Sequence, residues 1–286
     1  MHRSAFAPAS AGALLASLVL ILAAGLAASG CSQREARSGA DRASGAGAGG
    51  GEGTGAAGGV AAAGPHERTL GRSPDYDYDP PAPGTYRLPR IGPAAGGRIL
   101  GPDGVPRDLA DLYDGRVTIL SFIYTRCADP KACPHATGVL HDVHRVTMED
   151  PVLAENLQLL TFSFDPEHDT PQVMADYGER LRTAGSGADW SFLTTDGPGA
   201  LAPILDAYGQ VVDAKKNADD PFGPYYHVLR VYLIDSEREI RNIYSFGLLD
   251  PRLLLADART LLLEKSGTAG AAGGAGTAGM AAKAAG

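Results

Sequence analysis

Cysteine is scarce in this chain of 286 residues, with three in all. They are Cys31, Cys127 and Cys133. So few cannot build a disulfide-dense scaffold, and each must be accounted for separately. Concentrated positive charge is missing as well. Lys and Arg number 25 against 33 Asp and Glu, for a formal net charge of −8. Without a basic cluster to neutralise phosphates, nucleic acid is not a partner. Apolar periodicity is absent between residues 32 and about 72, where Ser, Gly and Ala dominate and Gly49-Gly50-Gly51 forms a run. No core can form there, and the segment reads as a flexible tether.

What precedes the tether reads as an export signal. His2 and Arg3 are followed by an apolar run from Ala11 to Ala27, then by Ala28-Ser29-Gly30 directly before Cys31. Small residues followed by Cys resemble a bacterial lipobox, with Ala28 standing where Leu is usual. The expectation is a lipoprotein signal over 1–30, lipid attachment at Cys31, a tether over 31–79, one domain over 80–265 and an Ala/Gly tail over 266–286. A plain secretory signal or an uncleaved anchor would place the domain on the same side of the membrane. The protein is therefore expected to be extracytoplasmic, held by its lipid on the outer or periplasmic face of the cell membrane.

Within the domain, strands and helices alternate. Arg98–Leu100 is a short strand, and Asp108–Tyr113 suits a short helix stopped at Gly115. The continuous apolar run Val117–Tyr124 is of the kind buried on both faces of a central strand. From Cys133 onward, Ala136, Val139, Leu140, Val143 and Val146 recur at helical spacing. Leu157–Phe164 is the next strand. Thr170 and Pro171 then cap and open another helix. Trp190–Thr194 is a short strand, and Leu201–Tyr208 reads as helical. His227–Ile234 reads as one strong strand, paired with Ile240–Phe246 across the turn at Asp235–Arg238, and Arg252–Leu263 is the last helix. The order predicts an α/β, thioredoxin-like fold: a central mixed sheet flanked by helices, with a C-terminal hairpin and helix. The proline-rich stretch Pro80–Pro93 is expected to lie extended on the surface.

With Cys31 spent on lipid, Cys127 and Cys133 are the remaining pair. They stand at a strand-to-helix junction, which is where thioredoxin-like folds present sulfur to solvent. Cys133 is placed at a helix N-terminus, where N–H groups and the dipole favour thiolate. An oxidising compartment makes the pair a disulfide unless it is reduced or metallated. His227 lies about one hundred residues further on, so only the fold can bring it to the thiols. Two thiolates and an imidazole form a soft, low-coordination set suited to Cu(I), and to Cu(II) in a tetragonal site. His135 stands in the first turn after Cys133 and is a weaker ligand candidate. His141 and His144 are three apart and read as a solvated helix face.

These residues resemble the Sco/SenC family of extracytoplasmic copper proteins in cytochrome c oxidase assembly. The likeness rests on Phe122-Ile-Tyr-Thr-Arg-Cys127, Cys133-Pro134, Phe164-Asp-Pro-Glu-His-Asp-Thr-Pro171, Trp190-Ser-Phe-Leu-Thr194, and His227 before Val231-Tyr-Leu-Ile-Asp235. It implies copper ligation by Cys127, Cys133 and His227, and delivery to the dinuclear copper centre of oxidase subunit II or a similar acceptor. Two departures stand out. The family pattern has three residues between the cysteines, whereas this chain has Ala128-Asp-Pro-Lys-Ala132. The family often has Asp before the histidine, whereas here it is Tyr226, which leaves the imidazole without an obvious carboxylate to fix its tautomer. The alternative is a thiol–disulfide oxidoreductase that uses Cys127 and Cys133 on an extracytoplasmic partner and draws on a thiol reductant. A peroxide-reducing enzyme is the third reading and the weakest, since Phe122–Arg126 supplies a Thr but no Pro before the cysteine.

Overall fold

The structure is a computed structural model that describes residues 63–72, 76–113, 115–182 and 187–267. The proposed signal, Cys31, most of the tether and the end of the tail lie outside the described residues. A helical turn comes first, α1 (Pro65–Thr69). Three short strands follow: β1 (Gly92–Pro93), β2 (Arg98–Leu100) and β3 (Pro106–Asp108). The centre is built from β4 (Val117–Ile123), α2 (Cys133–Thr147), α3 (Pro151–Asn156) and β5 (Leu157–Ser163). Then come α4 (Pro171–Glu179), β6 (Asp189–Leu193) and α5 (Pro198–Ala207). The last part holds β7 (Val212–Ala214), β8 (Tyr225–His227), β9 (Val231–Ile234), β10 (Glu239–Tyr244) and α6 (Pro251–Lys265).

The main sheet has the order β1-β10-β9-β4-β5-β6. β4, β5 and β6 run parallel, while β9, β10 and β1 are antiparallel. Every residue of β4 and β5 is buried, as their unbroken apolar runs require of strands covered on both faces. Alternate side chains divide between two cores. Ile119 joins Val139, Val143, Leu254 and Leu255 beneath α2 and α6. Leu120 and Phe122 join Leu201, Ile204 and Tyr208 beneath α5. This is the thioredoxin-like arrangement expected, with the C-terminal hairpin and helix in place.

Several local expectations change. The segment Asp108–Tyr113 forms a 3-10 turn over Leu109–Tyr113. Asp108 Oδ1 caps it by accepting the N–H of Ala110 at 2.8 Å. Helix α3 is an addition, started by Asp150, whose carboxylate accepts from the N–H groups of Val152 and Leu153. The proline-rich stretch is not extended throughout: it turns at Ala82–Thr85, where Thr85 N–H donates to the Ala82 carbonyl at 3.2 Å, and its end becomes β1 at the sheet edge. Arg241 holds it there by donating to the carbonyls of Leu88 and Pro89.

Composition placed residues 63–79 in the tether, yet those described are docked. Arg259 is bonded to Glu67 of α1 and also to Asp150 at 3.0 Å. His66 Nε2 stands 3.5 Å from Glu149. Ion pairs fasten α1, and Leu70 and the buried Tyr76 add apolar contacts too widely spaced to register as hydrophobic periodicity. Among the described residues no helix is long and apolar enough to cross a membrane.

The strand expected over His227–Ile234 is broken. β8 pairs only with β7, in a separate two-stranded sheet where Val212 faces His227. The chain leaves the extended ladder at residues 228–230, where Leu229 turns into the core and Arg230 donates to the Gly209 carbonyl at 2.6 Å. It re-enters the main sheet at Val231. His227 thus closes a small hairpin instead of opening a central strand.

Candidate metal centre

Strand β4 carries the chain to Ile123, and the next four residues lead to Cys127. This approach is fastened from below. Asp169 is fully buried and accepts from the Thr125 N–H at 2.9 Å, from Thr125 Oγ1, and from Ser163 Oγ at 2.5 Å. Cys127 N–H then donates to the Tyr124 carbonyl at 3.2 Å, which turns the chain. The five-residue connection folds on itself, with Ala132 N–H on the Asp129 carbonyl at 3.0 Å. Lys131 N–H donates to Asp129 Oδ1 at 2.9 Å. The two extra residues are therefore taken up in a local turn, and the helix still begins at Cys133.

The fold brings the three sequence-predicted residues together. His227 Nε2 lies 3.7 Å from Cys127 Sγ and 3.6 Å from Cys133 Sγ. All three donor atoms are within 4.8 Å of one another, the one such grouping among the described residues. A point between donors so spaced lies roughly 2–2.5 Å from each, the reach of thiolate and imidazole ligands to a metal ion. Neither cysteine is in a disulfide. Donor type and spacing both fit a soft ion.

The expected thiolate is on the other cysteine. Cys133 is 2 % exposed, while Cys127 is partly open to solvent. Ala132 precedes the first residue of α2 and offers no side-chain cap. The backbone N–H groups of Cys133 and Asp129 help to lower the pKa of the Cys127 thiol. The hydrogen bond from the Cys133 thiol lowers the Cys127 pKa most; with His227 and these N–H groups it overcomes burial and brings it to about 4. Burial pushes the Cys133 thiol far up, and the Cys127 charge adds to this. A helix N-terminus stabilises the anion its N–H groups reach, which here is the sulfur before the helix.

His227 is held by rings. Tyr124 meets it edge-on with centroids 5.6 Å apart, and Phe164 lies at 5.1 Å. Its Nδ1 is buried without a hydrogen-bond partner, as the missing Asp before it leads one to expect. Tyr226 occupies that position, is 65 % exposed and sits beneath Lys215. The sequence did not single out Tyr124, Phe164, Asp165, Asp169 or Tyr225 individually. The motif Phe164-Asp-Pro-Glu-His-Asp-Thr-Pro171 was a usable signal for three of them.

The other histidines stand apart. His135 packs on Phe246 at 5.3 Å and is not part of the donor grouping. His144 belongs to no solvated face. It is buried against Trp190 with centroids 5.5 Å apart, and burial lowers its pKa.

Gly223 is needed where it stands. Its φ is +98°, and an added Cβ would lie 2.2 Å from Tyr124 Oη. That hydroxyl donates to the neighbouring Phe222 carbonyl at 3.1 Å. Gly223→Ala is expected to destabilise the protein by about 3 kcal/mol, combining backbone strain and overpacking. Denaturant unfolding measures it, and an unchanged midpoint would contradict the contact.

A model of the SCO1/SenC family matches residues 101–263. No curated protein matches the chain. Among solved structures, copper-bound ScoI of Arabidopsis thaliana is 21 % identical with a TM-score of 0.51, covering 61 % of this chain and 99 % of that one. A SCO1/SenC family lipoprotein from Bacillus anthracis str. Ames is 22 % identical with a TM-score of 0.50, covering 60 % and 95 %. At these identities the structures speak for the fold, while the family match spans more than half of the sequence. The chain belongs to the SCO1/SenC family.

Proposed function

We propose that this protein carries copper outside the cytoplasm and loads, or prepares for loading, the dinuclear copper site of cytochrome c oxidase subunit II or a similar acceptor. The carrying observation is the convergence of Cys127, Cys133 and His227 within 4.8 Å. Cu(I) prefers soft donors in low coordination numbers, which two sulfurs and one imidazole supply. Cys127 offers a ready thiolate, and Cys133 loses its proton on metallation. The half-open position of Cys127 suits handover, because an incoming acceptor ligand can reach the ion from that side. Copper bound in a family relative supports the identity of the cargo. The signal-like segment and Cys31 support a lipid anchor, with the tether giving the domain reach.

A second reading has its own support. A thiolate at Cys127 beside a protonated thiol at Cys133 is the arrangement of a dithiol reductant. Cys127 would attack a partner disulfide and Cys133 would resolve the mixed disulfide. The partner leaves as a dithiol, the pair is oxidised, and a thiol reductant must restore it. His227 separates the readings, since copper needs it and exchange does not.

The test is Cu(I) titration against a competing chelator under anaerobic conditions. The reduced protein is expected to take up one Cu(I), and the oxidised protein none, because bonded sulfurs offer no thiolate. Full copper uptake after both thiols have disappeared would sink the reading.

A further inference from the structure

The donor atoms come from two sheets that share no ladder. Cys127 follows β4 of the main sheet, whereas His227 ends β8, which pairs only with β7. We propose that Asp165 is the positioning residue that locks these two arms together and so sets His227 against the thiols. The idea rests on reading Cys127, Cys133 and His227 as one metal site.

Asp165 is 2 % exposed, and its two oxygens serve different arms. Oδ2 accepts from Arg126 Nη2 at 2.6 Å and Nε at 3.3 Å. Arg126 immediately precedes Cys127. Oδ1 accepts from Tyr225 Oη at 3.1 Å. Tyr225 stands two residues before His227 on β8, so both side chains project from the same face of that strand. The carboxylate itself does not wander. Asp165 N–H donates to Ser163 Oγ at 3.0 Å, and Phe164 N–H donates to the Ile123 carbonyl at 2.9 Å. Phe164 also packs on the His227 ring, so one short segment supports the imidazole through its own ring and through Tyr225.

The arrangement offsets the missing carboxylate beside the histidine. With Nδ1 unpartnered, no carboxylate orients the ring through that nitrogen. It is oriented by the rings of Tyr124 and Phe164 and through its strand. Among the described residues the arms also meet at the Phe222 carbonyl, which accepts from Tyr124 Oη at 3.1 Å and Ala128 N–H at 3.4 Å, and at the Tyr124 ring, which meets Tyr225 edge-on with centroids 5.3 Å apart. The carbonyl holds the start of the β8 arm, three residues before Tyr225, the ring contact is apolar, and the directional polar tie at Tyr225 is its hydroxyl on Asp165.

Residues that orient metal ligands typically change affinity by about 10- to 100-fold when removed. Asp165→Asn retains one oxygen for Tyr225 but loses an acceptor for Arg126. Tyr225→Phe removes only the hydroxyl. Each is expected to weaken Cu(I) binding by about tenfold or more. In a His227→Ala background, Tyr225→Phe should add less than twofold, because its effect passes through the histidine. A metal-free arm keeps the proposal testable whatever the copper result. At pH 7.5, carbethoxylation of His227, followed by peptide mass spectrometry, should quicken several-fold in Tyr225→Phe. Disulfide closure between Cys127 and Cys133 should stay within twofold, which also shows the variant to be folded. If wild type holds no copper, the site reading fails while the carbethoxylation arm still decides the clasp. Unchanged His227 reactivity in Tyr225→Phe, or an equal loss of affinity with and without His227, would overturn the proposal.

Discussion

Cys127→Ser is expected to lower Cu(I) affinity by about a hundred- to a thousandfold. Four-ligand zinc sites in small proteins hold the ion with about 10–16 kcal/mol, or roughly 2.5–4 kcal/mol per ligand. Each 1.4 kcal/mol is a factor of ten. A serine hydroxyl is hard and does not ionise near neutrality, so it does not replace a thiolate for a soft ion. Cys133→Ser should be comparable. His227→Ala should cost less for Cu(I), because two sulfurs remain an acceptable linear pair, and more for Cu(II), which needs the nitrogen. Competition titrations of the three variants establish the order. Wild-type affinity in both cysteine variants would place the copper elsewhere. Normal Cu(I) and Cu(II) affinity in His227→Ala would favour the dithiol-exchange reading.

The second large effect concerns pH. An ordinary thiol, with a reference pKa of about 8.5, gains nearly tenfold in thiolate per pH unit and so close to a thousandfold from pH 5 to pH 8. Cys127 has its pKa lowered to about 4, so it is already mostly thiolate at pH 5. Its alkylation by iodoacetamide should therefore be nearly flat across that range. The rate itself will not be high. Nucleophilicity falls with pKa with a Brønsted slope of about 0.4–0.5, which makes this thiolate roughly a hundredfold less reactive than an ordinary one. The two effects cancel near pH 6.5. Cys127 should react more slowly than a free thiol at pH 8 and about thirtyfold faster at pH 5. Cys133 should stay unmodified throughout, since burial and the neighbouring charge hold its proton. Site-resolved mass spectrometry on the reduced, metal-free protein reads both rates. A Cys127 rate that climbs tenfold per unit, or faster modification of Cys133, would refute the assignment of the thiolate.

Some of this chemistry is legible in the amino-acid order alone, because it depends on contiguous residues. Val117–Ile123 is apolar without a break, and a strand buried on both faces has no other pattern available. The helical spacing from Ala136 to Val146 placed α2. The dithiol fell between them by chain order alone. Tyr226 in place of an acidic residue already signalled that His227 Nδ1 would lack a carboxylate, and it has no partner.

Other features were illegible because they depend on where the chain returns. The apolar run after His227 looked like one strand, yet Leu229 turns into the core and the strand divides. Residues 63–72 carry no periodicity, and Arg259, nearly two hundred positions away, holds them by charge. His144 shares helical spacing with His141, but Trp190 arrives to bury it. The thiolate moved to Cys127 because the hydrogen bond it receives from the Cys133 thiol, and the depth at which Cys133 is buried, are properties of packing. Asp165 became visible as a clasp only once Arg126 and Tyr225 met on its two oxygens.

The sequence by itself thus determined the strand–dithiol–helix unit, the candidate ligands and the order of elements. Each of these is written in neighbouring residues through hydrophobic period and turn chemistry. Tertiary structure decided which sulfur carries the charge, that the imidazole meets both thiols, and what holds it there. Those outcomes rest on burial and on hydrogen bonds between segments about forty to one hundred residues apart. Local sequence constrains neither, because they are fixed only when the sheet, its covering helices and the small β7–β8 hairpin close around one point.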